Sequence, residues 1–180
     1  VPFGMKLSEL LKMVEGEDAK AVQVGGPSGQ LIGPDDFSRT ICYDDLATGG
    51  SMMVFGPQRN ILEVVDYFMD FFIEESCGYC TPCRVGNVLL KKGIEDIMAG
   101  KGEPATLTYL QELGETVKLA SRCGLGQTSP NPVLTSIANF RSDYDALVKE
   151  EKQGFQPAFD LSAAVSESSA IAGHGSVHLE

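Results

Sequence analysis

The chain has 180 residues, 43% of them hydrophobic, enough to bury the core of one ordinary domain or two small ones and to set disorder aside. Its formal net charge of −11 sets up a field that repels phosphate backbones and anionic lipid surfaces, which speaks against nucleic acid as a partner. Five cysteines, with three inside seven residues and no basic and apolar leader before them, fit a reduced compartment such as the cytoplasm better than a secreted disulfide framework.

The chain opens at Val1 and is in core-forming sequence by its third residue, which reads as a fragment or a processed piece. Leu7, Leu10, Leu11 and Val14 recur at helical spacing and predict a first helix over 7–14. Strand signals follow at Ala21–Val24, ahead of Gly25-Gly26-Pro27, and at Ser51–Phe55, between Gly50 and Gly56. One short helix among several strands covers one face of a sheet, as in β-grasp folds. The stretch from Val24 to Gly29 lacks the spacing of a phosphate-binding loop and reads as a tight turn. Cys42, in a predicted strand from Thr40 to Tyr43, reads as a small buried hydrophobe. The pairs Asp35-Asp36 and Asp44-Asp45 read as turn caps or solvated carboxylates.

From Gln58 the hydrophobic period changes to 3.6 residues. Ile61, Val64, Val65, Phe68 and Phe72 form a stripe widened by Leu62, Met69 and Ile73, while Glu63, Asp66 and Asp70 make it too charged to span a bilayer. A second helix is predicted from Thr81 as N-cap and Pro82 as first helical residue to a stop at Gly100, burying Val88, Leu89, Ile94, Ile97 and Met98. Gly86 and Gly93, seven apart, each weaken it by about 1 kcal/mol, a cost consistent with close packing of helix backbones. A third helix over 104–122 carries Leu107, Leu110, Leu113, Val117 and Ala120, and a fourth follows Pro132 with Val133, Leu134, Ile137, Ala138 and Phe140. Short connections predict antiparallel neighbours in a bundle. Residues 151–180 read as a polar, mobile tail in which Phe155, Phe159 and Leu161 could dock; His174 and His178 there are incidental, because a mobile segment does not hold ligand geometry.

The strongest signal is Cys77-Gly78-Tyr79-Cys80-Thr81-Pro82-Cys83, followed 40 positions later by Cys123 in Arg122-Cys123-Gly124-Leu125-Gly126. Three close thiolates and one remote one suit a cubane, in which each ligates a different iron. Zinc is more often built from two paired units, and both metals accept sulfur, so a structural zinc module remains the alternative; a metal-free thiol–disulfide pair, Cys77 with Cys80, is a second. Gly78 can take a left-handed conformation in the loop, Gly124 and Gly126 let backbone amides approach inorganic sulfur, and the helix opening at Pro82 directs positive partial charge toward an anionic centre. Arg84 and Arg122 adjoin ligand positions and either offset that charge or lie solvated.

Glu75 to Gly86 resembles the E-S-C-G-x-C-x-P-C-R-x-G signature of the NADH-binding flavoprotein (diaphorase) subunit family of respiratory complex I, NAD-reducing hydrogenases and NAD-dependent formate dehydrogenases. Ala21–Gly29 is similar to that family's soluble-ligand-binding β-grasp segment, and Cys123–Val133 resembles its fourth-cysteine segment, in wording closer to the hydrogenase and formate dehydrogenase branch. The resemblance covers about residues 1–150. It implies an α+β chain made of a truncated β-grasp domain (1–56), an antiparallel four-helix bundle that binds iron–sulfur (57–150), and the tail (151–180). It also implies a [4Fe-4S] cluster on Cys77, Cys80, Cys83 and Cys123, relaying electrons from a flavin reduced by NADH to further clusters. FMN and NADH would belong to an upstream domain of the same subunit, and another iron–sulfur subunit would be the partner. No catalytic residue is expected within the chain, and apolar faces shaped for missing β-grasp strands are expected to be exposed.

Overall fold

The computed structural model describes residues 1–148 together with Ser166, Ala170, Ile171 and Gly173. Apart from those four positions, the tail reading, with Phe155, Phe159, Leu161, His174 and His178, lies outside the described residues. Val1–Glu150 forms one compact unit and Glu151–Glu180 a second.

The first helix, α1 (Leu7–Met13), buries Leu7 and Leu11, one turn apart. A three-stranded antiparallel sheet follows, with β1 (Ala21–Val24) central between β2 (Gln30–Ile32) and β3 (Met52–Phe55). Val22 stands opposite both Ile32 and Val54. All four residues of β1 are buried because the sheet is covered on both faces. Alternate side chains divide between two cores: Val22, Val24 and Ile32 join Leu7 and Leu11 of α1, whereas Ala21 and Leu31 join the helices that follow. The turn after β1 has Gly25 and Gly26 at φ +90° and +68°, and a Cβ on Gly29 would run into the Val24 carbonyl, so the glycine-rich stretch is a turn dictated by backbone geometry.

The predicted strand at Thr40–Tyr43 reduces to a single bridge between Lys6 and Thr40. The chain turns away there because Asp45 folds back, accepting from the Thr40 amide at 2.9 Å and from Arg39 Nε at 2.7 Å. These two bonds, with the Arg39 charge, hold the Asp45 carboxyl below the usual carboxylate range. A depressed folded-state pKa contributes stability that is present above the unfolded value of about 3.9 and is lost as pH falls through the folded one. Asp45→Ala is therefore expected to lower stability by about 1 kcal/mol at pH 7, after allowing for solvent screening, with the difference from wild type shrinking in denaturation curves as pH falls below the unfolded value.

Beside β3, Met53 and Phe55 line a groove of about 370 Å³ with Arg59, Glu63, Val64, Tyr67 and Phe68. The edge of β2 is instead met by helix side chains: Leu31 donates to Thr135 Oγ1 at 3.0 Å and accepts from Asn139 Nδ2 at 2.7 Å.

Among the described residues, four of the six helices that follow correspond to predicted ones, and two short helices were not predicted. α2 (Ile61–Glu74) is capped by Asn60, whose Oδ1 accepts from the Leu62 amide at 3.0 Å, and buries the predicted stripe. α3 (Thr81–Met98) begins one residue earlier than expected: extended Cys80 is the N-cap and its carbonyl accepts from Arg84. The buried face also differs. Val88 and Leu89 are exposed, and the core side carries Cys83, Gly86, Asn87, Leu90, Gly93, Ile94 and Ile97. Gly86 and Gly93 mark that face, and Leu90 lies about 40° from Gly86 around the axis, whereas Val88 lies about 160° away.

α4 (Pro104–Ala120) runs back along α3, with Leu110 against Gly93 and Val117 against Gly86. A Cβ at Gly93 would sit 2.5 Å from Leu110 Cδ2, and one at Gly86 would collide with Val117 Cγ2, so both glycines allow the close approach expected of them. Short α5 (Gly124–Thr128) and α7 (Arg141–Asp145) flank α6 (Asn131–Asn139), which packs on β2, α2 and α4. Between α2 and α3, Lys91 lies within 2.6 Å of Asp66 and 3.2 Å of both Asp70 and Glu95. Partial burial opposes its charge, but these carboxylates outweigh that and raise its pKa.

Candidate metal centre

The α3–α4 hairpin delivers the remote cysteine. Helices of 18 and 17 residues run antiparallel, so the end of α4 returns to the start of α3, and Cys123, N-cap of α5, arrives beside the loop that follows α2. Cys77, Cys80, Cys83 and Cys123 line one pocket of about 100 Å³ with Glu75, Ser76, Tyr79 and Leu125. Cys83 is buried, Cys80 half-buried, and Cys77 and Cys123 exposed; all are free thiols. Cys42, half-buried, is not among the residues that line it.

The trio is held by its own neighbours. Gly78 takes φ +72°, a left-handed turn that brings its amide to Ser76 Oγ at 3.2 Å. Arg84 Nη1 donates to the Gly78 carbonyl at 2.7 Å, and the Arg122 guanidinium stacks 5.0 Å from the centre of the Tyr79 ring. The two arginines, though exposed, thus each contact the loop, at neighbouring residues Gly78 and Tyr79. The Arg122 amide, donating to Cys80, holds that thiol below the usual cysteine range against the opposing effect of burial, with the Cys83 amide adding to it.

Behind the pocket lies a polar set that sequence reasoning missed. Ser76 Oγ is 3.3 Å from Cys83 Sγ, Asn87 Nδ2 donates to the same sulfur at 3.5 Å, and Ser129 Oγ donates to Asn87 Oδ1 at 2.7 Å. The available signal was Asn87 itself, a polar residue one helical turn beyond Cys83 on the core face of α3.

Residues 63–147 match the family described as the NADH-ubiquinone oxidoreductase-F iron–sulfur binding region. The chain is 42% identical over 166 residues to the NAD-reducing hydrogenase HoxS subunit alpha of Cupriavidus necator, covering 92% of this chain and 28% of that protein. It is 38% identical over 163 residues to the NADP-reducing hydrogenase subunit HndC of Solidesulfovibrio fructosivorans, covering 84% and 33%. Among solved structures, an NAD+-reducing [NiFe]-hydrogenase in the H2-reduced state superposes with a TM-score of 0.79 at 36% identity, over 100% of this chain and 32% of that one. The chain thus spans about a third of the length of these relatives.

The family's group is a [4Fe-4S] cluster, and the residues present fit it. Soft thiols form the cysteine set of the pocket, and the buried Ser121 hydroxyl lies beside it, facing Cys80. Among the described residues no three His, Cys, Asp or Glu side chains converge as around a single ion. No helix among the described residues is long and apolar enough to cross a membrane. By sequence, by fold and by the chemistry of its pocket, the chain belongs to the NADH-ubiquinone oxidoreductase-F iron–sulfur binding family, corresponding to the C-terminal part of the NADH-binding subunits.

Proposed function

We propose that Cys77, Cys80, Cys83 and Cys123 hold one [4Fe-4S] cluster, and that the chain relays electrons between a flavin reduced by NADH and downstream iron–sulfur clusters. The observation that carries this reading is the convergence of Cys123, 40 positions from Cys83, on the pocket lined by the other three. When bound, the cluster accepts and gives up single electrons. The chain's own residues supply the thiolates, fasten the loop through Arg84 and Arg122, and cover one sulfur by burying Cys83.

In this reading FMN and NADH bind an upstream region of the longer subunit, whose size is suggested by relatives about three times the length of this chain. A further iron–sulfur subunit is the electron acceptor, and a reducing, cytoplasmic setting keeps five free thiols available. We read the fold as a truncated β-grasp domain followed by a four-helix bundle: α1 lies on one face of the sheet, and α2, α3, α4 and α6 share the core on its other side.

Anaerobic purification or reconstitution with iron and sulfide is expected to give a brown protein with about four irons and four sulfides per chain and an EPR signal on dithionite reduction. A colourless protein holding one zinc, or a reconstituted one silent in EPR after reduction, would overturn the proposal.

A further inference from the structure

Cys83 is the buried thiol of the four, and its sulfur is the one that a fully buried amide reaches. An asparagine with no exposed surface on an apolar helix face loses its hydration, a cost that only completed hydrogen bonds offset. Asn87 completes them in one direction: Ser129, on the far side of the α3–α5 contact and 42 residues away, donates to Oδ1, leaving Nδ2 to face Cys83 Sγ. Ser129 is itself fully buried and lies 3.2 Å from the Gly126 carbonyl, so its position is set by the turn that carries Cys123.

We infer that Asn87 is a positioning residue whose N–H, oriented by Ser129, donates to the Cys83 sulfur and raises the reduction potential of the centre; this rests on the proposed reading of the pocket. The physical basis is charge. An added electron increases the negative charge on the ligating sulfurs, and a dipole aimed at one of them from a dry site stabilises the reduced form more than the oxidised one. A sulfur bound to iron carries no proton, so it can only accept, and the amide orientation in which Ser129 donates to Oδ1 is the one that offers it a donor.

The test is a potentiometric titration followed by EPR on the full-length subunit prepared anaerobically. Asn87→Leu keeps a side chain of similar size without the donor, and is expected to shift the midpoint to more negative potential with iron content retained. Ser129→Ala leaves Asn87 in place but frees its amide to turn, and is expected to shift the midpoint in the same direction by less. Ser136→Ala serves as the control. Its hydroxyl is equally buried but bonds Tyr144 at 2.6 Å, so it is expected to lower stability while leaving the midpoint unchanged.

Should Asn87→Leu fail to retain iron, the Ser129→Ala midpoint decides. Variants that hold full iron at the wild-type midpoint would overturn the inference and leave the four-cysteine reading intact. Wild-type protein that takes up no iron would instead remove the reading on which the inference depends.

Discussion

Cys123→Ala is expected to reduce iron retention at least about tenfold, with the brown colour and EPR signal falling in parallel, while Cys42→Ala leaves all three unchanged. The magnitude is a lower bound, since residues one layer outside a metal site already account for roughly 10- to 100-fold in affinity. Cys123 is the decisive position because it joins the other three only through the folded hairpin of α3 and α4. A thiol–disulfide pair made of Cys77 and Cys80 would ignore its loss, so full disulfide turnover in metal-free Cys123→Ala protein would contradict the iron reading. Cys42 is the matched control: another free thiol that does not line the pocket. Iron analysis after gel filtration, alongside circular dichroism to establish folding, makes the comparison.

Gly86→Ala is expected to destabilise the helices by about 2 kcal/mol, although alanine favours an isolated helix over glycine by about 1 kcal/mol. The added methyl would meet Val117 Cγ2, the end of a stiff, β-branched and fully buried side chain, so relief requires the helices to separate. Val117→Ala alone is expected to cost about 2 kcal/mol by leaving a cavity. In the double variant the new methyl fills part of that cavity, so the combined cost should fall short of the sum by about 1 kcal/mol or more. Chemical denaturation of the four proteins completes the cycle, and strict additivity would show that the two positions are not in contact. Gly86 also lies one turn from Cys83, so Gly86→Ala is expected to weaken iron uptake, with recovery in the double variant.

The cysteine trio, the glycine turn after β1 and the stripe of α2 were legible because each is a local pattern: ligand spacing, turn chemistry and hydrophobic period act within a few residues. The buried face of α3 was misread at Val88 and Leu89 because its apolar residues are spread around the helix, and Gly86 and Gly93 identify the side that meets α4. Thr40–Tyr43 has strand composition, yet Asp45 captures the Thr40 amide and ends the pairing after one bridge. Local propensity could not foresee that competition.

Sequence alone determined which atoms are available to bind a metal, because thiol chemistry and the Cys77–Cys83 spacing are properties of the covalent chain. Tertiary structure decided where the fourth thiol sits, that Arg84 and Arg122 fasten the loop, and that Asn87 points its amide at Cys83 under the hold of Ser129. The longest of those contacts join residues as much as 42 positions apart, and they form only when two helices of nearly equal length pack antiparallel through glycine.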